Sequence, residues 1–163
     1  MRNFKIITMS AALLLAFVGT TVGQSDPDQL VTVDVNAINE ISVSADPGSL
    51  VIDAATAGSE PDPVSDASTS YSITTNESTR KIVGSLSADY PANVTLKVTL
   101  ASAGATSAGQ KTLSLATPQD LVTGISNLAE SSQVITYVAS ATVAASPGSA
   151  ESRTVTLTIA AGA

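Results

Sequence analysis

Residues 94–100 read Val94-Thr95-Leu96-Lys97-Val98-Thr99-Leu100, and this stretch decides the fold. Apolar and polar side chains alternate without a break. Val94, Leu96, Val98 and Leu100 therefore share one face, and Thr95, Lys97 and Thr99 the other. Successive side chains of a strand point to opposite faces, so a period of two rich in β-branched residues marks a strand with one face in a core and one in water. The pattern recurs in both directions along the chain. Upstream lie Leu30–Val35, with Val31, Val33 and Val35 on one face, then Glu40–Val43, the apolar run Leu50–Ile52, Ser70–Thr74 and Arg80–Leu86. The last two flank the polar turn Asn76–Thr79 and read as a hairpin. Downstream are Lys111–Leu115 and Leu121–Ile125 around Pro118, the long stretch Gln133–Val143 with Ile135, Tyr137, Ala139, Ala141 and Val143 on one face, and the closing strand Arg153–Ile159. Asp46-Pro47-Gly48 and Ser146-Pro147-Gly148 punctuate the series as turns.

About eight to ten short strands at regular spacing predict an all-β fold, an immunoglobulin-like antiparallel β-sandwich. One helical turn is expected at Asn127–Glu130. Ala54–Ser68 reads as a long loop carrying Gly58, Pro61 and Pro63, and Ala101–Gly109 as a loop of small residues. Loops of the first length more often carry function than structure. The core is built from Val, Ile, Leu and Ala, because Tyr71, Tyr90 and Tyr137 are the aromatic residues after residue 23 and the chain has no Trp.

Residues 1–23 have the three parts of a secretory signal peptide, expected to be helical. Arg2 and Lys5 are the basic start, Ile6–Val18 the apolar centre, and Gly19–Gly23 the small-residue cleavage region. The apolar centre is shorter than the roughly 20 residues of a membrane span. Residues 24–163 have the size of one domain. This domain loses two cations with the leader and is more acidic than the whole-chain net charge of −7. An acidic surface without a Lys/Arg cluster is repelled by phosphate backbones, so nucleic acid is not an expected partner. The chain has no Cys, and a disulfide-free exported domain fits a secreted, periplasmic or cell-surface location in a bacterium.

The chemistry available is narrow. The chain has no His, which removes the commonest general base, the Ser-His-Asp triad and most catalytic zinc sites. No Cys removes thiol nucleophiles and iron–sulfur clusters. Lys81, Lys97 and Lys111 lie on polar strand faces, none in a Ser-x-x-Lys arrangement. Fourteen acidic residues always supply some carboxylate pair, but the aromatic lining of a sugar cleft is missing. The expectation is a protein that is not an enzyme and needs no cofactor. Calcium is the one ion to weigh, because it takes several oxygens from flexible loops, and Glu60, Asp62 and Asp66 are its candidate ligands. The competing reading is that loops of an acidic protein are simply acidic and solvated. Asn76-Glu77-Ser78 and Asn93-Val94-Thr95 match the N-glycosylation sequence, as expected by chance in a Ser/Thr-rich chain. Tyr137 reads either as the tyrosine that sandwich domains place near the start of the penultimate strand or as an ordinary core residue.

The alternating Leu30–Val35 directly after the leader, the pair Ser70–Leu86 around Thr74-Thr75-Asn76 and Arg80-Lys81, and the closing Arg153–Ile159 together resemble secreted bacterial surface proteins of fimbrial-subunit type. The resemblance implies an immunoglobulin-like sandwich and a structural or adhesive role, with other surface proteins or copies of itself as partners by strand addition. Two features depart from that family: many of its members carry a disulfide, and the closing strand is present here. The alternative reading is an extracellular binding module that recognises a polysaccharide, a protein or calcium through the Ala54–Ser68 and Ala101–Gly109 loops.

Overall fold

Strands need partners, because every backbone N–H and C=O taken out of water must find one. The computed structural model describes residues 27–148 and 150–162, so the leader read at residues 1–23 lies outside the described residues. The compact β unit begins at Asn36. Within it are nine strands: β1 (Asn39–Val43), β2 (Val64–Thr75), β3 (Arg80–Leu86), β4 (Val94–Leu100), β5 (Thr106–Ser107), β6 (Lys111–Thr112), β7 (Gln119–Ile125), β8 (Leu128–Ala141) and β9 (Val155–Ala161). They form two antiparallel sheets, one in the order β1-β2-β8-β4-β6 and the other β5-β7-β3-β9. The described residues are all-β, and the fold is a β-sandwich with about the expected number of strands.

The core lies between the sheets. Tyr71, Ile73, Leu96, Val98, Leu100 and Ile135 from the first sheet pack toward Ile82, Leu86, Leu121 and Ile125 from the second. The deciding stretch folds as read: β4 covers residues 94–100, with Leu96, Val98 and Leu100 buried at every second position. In β8 the inward Ile135, Tyr137 and Ala139 are buried as expected, but the strand ends at Ala141 and Val143 lies beyond it, exposed. Gly84 is required by packing. A methyl group there would meet Leu121 Cδ1 at 2.5 Å and Leu113 Cδ2 at 3.4 Å.

Connectivity departs from the sequence reading. Ser70–Thr74 and Arg80–Leu86 are not a hairpin: β2 is bonded on its two sides to β1 and β8, and β3 to β7 and β9 in the other sheet. The chain crosses the sandwich at Asn76–Thr79, where Thr79 has a φ of 56°. Alternation places Ile73 and Ile82 toward the core in either arrangement, so pattern alone does not distinguish them. The helical turn expected at Asn127–Glu130 is absent. Asn127, with a φ of 46°, turns the chain tightly from β7 into β8, and Leu128–Glu130 belong to the strand. The expected loop Ala54–Ser68 is shorter than read, because β2 starts at Val64 and takes in Asp66 and Ser68. The loop Ala101–Gly109 contains the two-residue β5.

Residues 27–35 belong to a separate unit. Leu30–Val35, expected to be the first strand, has no regular secondary structure, and Leu30, Val31, Val33 and Val35 are 94%, 72%, 79% and 72% exposed. Alternation and β-branching suit a residue to a half-buried pleat, but a strand forms only where a neighbour supplies hydrogen bonds. Gly84→Ala is expected to destabilise the fold by about 1–3 kcal/mol through overpacking. Urea denaturation would show a lower midpoint with an unchanged slope.

Candidate functional site

The two long flanks of the sandwich are built differently. On one, the short strands β5 and β6 extend the sheets, and Leu113 just after β6 is buried in the core. On the other, β1 ends the first sheet and β9 the second, and between them runs an open groove of about 1450 Å³. Its floor is Leu96, Ile135, Tyr137 and Ala139. One wall is the inward face of β9, where Val155 and Leu157 are half-buried against the core, with Ile159 further along the strand. The other is β1 with residues 44–52, where Leu50 and Ile52 face inward and Val43 and Val51 are 57% exposed. Burial pushes the Tyr137 hydroxyl above its usual range, helped by the charge of Asp46.

Arg153 fixes one end of this groove. Its Nε donates to the Asp89 carbonyl (3.1 Å), a second nitrogen donates to the Ser152 carbonyl (3.0 Å), and its guanidinium pairs with Glu151 and lies 5.4 Å from the centre of the Tyr90 ring. The planar, multiply donating guanidinium suits this role as a Lys would not. At the opposite end of β9, Asn76 ties the chain entering β1: its Nδ2 donates to the Asn36 carbonyl and its Oδ1 accepts from the Ile38 amide, both at 2.8 Å. Glu77 accepts from Asn39 and pairs with Arg80, which together hold its carboxyl below the usual range, the Asn39 bond most.

A second arrangement locks the small-residue loop after β4. Glu130 accepts from Ser102 Oγ (2.8 Å) and from the Gly104 amide, and the Tyr71 hydroxyl donates to the Ala101 carbonyl (2.6 Å). Tyr71 is pushed up to about 12, first by burial and then by the Glu130 charge. Tyr137, by contrast, sits mid-strand in β8 as a core residue. None of this was legible in the sequence. Glu130, Ser102 and Tyr71 are brought together by pairing of distant strands, and no local spacing marks them.

The three calcium candidates lie apart in their bonding. Glu60 accepts from the Val143 amide. Asp62 comes just after the Ala55–Pro61 bridge, and its amide donates to the Ala54 carbonyl (2.9 Å). Asp66 lies within β2 and accepts from the Ser68 amide (3.0 Å) and hydroxyl (2.8 Å), the first of which does most to hold its carboxyl below the usual range. Among the described residues no three acidic side chains form a group able to hold a metal ion. Of the two glycosylation-like sites, Asn76 is engaged as above, and Asn93 Nδ2 donates to the Ala144 carbonyl (3.2 Å).

A folded-state pKa raised above the ordinary tyrosine value of 10.0 gives stability that is present below that pH and lost as pH rises through 10 toward 12. Glu130→Gln removes one of the two causes that raise it, so Tyr71 should titrate below its wild-type pH yet above 10, and the alkaline loss of stability, which starts near 10 in both forms, should be smaller and complete at a lower pH. Phenolate absorbance against pH, with Tyr71→Phe as the blank, reads the titration, and urea denaturation between pH 9 and 12 reads the stability. No family model matches the chain, and no curated protein and no solved structure matches it either.

Proposed function

We propose that this protein is a non-enzymatic structural or adhesive protein, exported by a bacterium to the periplasm, cell surface or medium, whose immunoglobulin-like sandwich joins copies of itself by strand addition. The observation that carries the reading is Leu30–Val35: three valines on one face, β-branched and alternating, exposed and without a strand partner among the described residues. Soluble proteins seldom leave such a stretch bare, since it templates pairing with another chain. The leader-like residues 1–23, the missing His and Cys, and the resemblance to fimbrial subunits support the same reading. Main-chain hydrogen bonds supply affinity in strand addition, and alternate side chains supply register.

The chain from Gln24 is expected to associate as its concentration rises, and the same chain begun at Ile38 to remain monomeric. Sedimentation velocity over a wide concentration range reads the difference. Two equally stable monomers at every concentration would reject the reading.

A further inference from the structure

We infer that the groove between β1 and β9 binds a small amphiphile, whose aliphatic chain lies on the apolar floor and whose primary ammonium group is held between the Tyr137 hydroxyl and the Asp46 carboxylate. The inference goes beyond the joining of copies and does not depend on it, since no residue before Ile41 lines the groove.

The floor is apolar. Leu96, Ile135, Tyr137 and Ala139 are buried core residues that also line the groove, and Leu50 and Leu157 on its walls are half-buried. Sites for small molecules are of this kind: concave, mostly apolar, with a few polar groups that fix orientation. The volume of about 1450 Å³ is larger than the roughly 300–1,000 Å³ of a compact pocket, so the groove suits an elongated occupant.

The first polar group is Tyr137. The residue is 7% exposed, yet among the described residues nothing hydrogen-bonds its hydroxyl. Tyr71, also buried, donates to the Ala101 carbonyl. Buried tyrosine hydroxyls ordinarily find a partner, because one taken from water without a replacement is costly. Tyr137 lines the groove, so a ligand there can supply that partner.

Charge selects the ligand. Among the described residues Asp46, Glu151 and Arg153 are the charged side chains lining the groove. Arg153 is already engaged by Glu151, by the Asp89 and Ser152 carbonyls and by the Tyr90 ring. Asp46 is exposed and makes no ion pair among the described residues, and its charge acts on the Tyr137 hydroxyl. A carboxylate and a hydroxyl oxygen side by side suit a primary ammonium, whose three N–H groups can reach both. An anionic head would meet the like charge of Asp46 and the chain's net charge of −7.

The test is calorimetric titration at neutral pH of the chain from Gln24, which keeps the whole compact unit from Asn36, with decylammonium, decanol and decanoate. Decylammonium is expected to bind saturably, one per chain, about tenfold more tightly than decanol and tighter still than decanoate. Asp46→Asn should weaken decylammonium about tenfold and leave decanol unchanged, whereas Tyr137→Phe should weaken both about threefold. Asp62→Asn removes the same charge away from the groove and should change neither. Circular dichroism checks that each variant folds, and the exposed Asp46→Asn form keeps the test decisive if Tyr137→Phe does not fold. No saturable binding, decanol or decanoate bound as tightly as decylammonium, or an equal loss from Asp62→Asn and Asp46→Asn each overturns the assignment. Decylammonium binding that disappears as the protein is concentrated places a second copy in the groove and overturns it too.

Discussion

The pairing of β2 with β8 is the interaction on which the rest of the sandwich hangs. These are the two longest strands, 12 and 14 residues, and they run together from Val64↔Ala139 to Thr75↔Leu128. Their inner faces supply Tyr71, Ile73, Ile135 and Tyr137 to the core. Their outer sides receive β1 and β4, which completes the first sheet apart from the two residues of β6. The turn leaving β2 and the turn entering β8 both cross to the second sheet, so the ends of this one ladder also set where β3 begins and β7 ends. An aliphatic core without disulfides and with few aromatics has to draw its stability from close packing of this kind.

From β2 onward, every connection passes from one sheet to the other. That single rule accounts for most of what the sequence did and did not disclose. Strand identity was readable, because alternation is a local property: β4 was found residue for residue, and the inward set of β8 was found except for its frayed end at Val143. Which strand lies beside which was not readable. The residues of Ser70–Thr74 look the same whether Arg80–Leu86 lies next to them or across the core. The Asn127 turn was missed for a related reason. Two strands in different sheets can be joined by fewer residues than a helix needs, and a short polar interruption resembles a turn of helix. Leu30–Val35 errs in the opposite direction. Its pattern is as good as any in the chain, but pattern states what a neighbour would find and does not supply the neighbour.

The candidate site was less legible than the fold. A groove is made by what two edges leave between them, and Leu50, Tyr137 and Leu157 are unremarkable apolar residues in their own segments. Arg153, which holds one end of it, was visible only as the start of a strand. The acidic loop drew attention because acids are conspicuous in sequence. In the fold, Glu60 and Asp66 accept from the Val143 amide and from Ser68, which organises the β2 start instead of converging on a point.

Alternation between sheets also governs how such a chain reaches its folded form. Because no two successive strands after β1–β2 are neighbours, each ladder closes a long loop, and such topologies fold slowly. The second sheet is the extreme case: β3 waits for β9, with Arg80 paired to Ala161. Until the last strand arrives, Ile82 and Leu86 have no ladder partner on that side. A chain made from its N-terminus therefore closes its second sheet only after β9 has been synthesised, whatever the first sheet has already done.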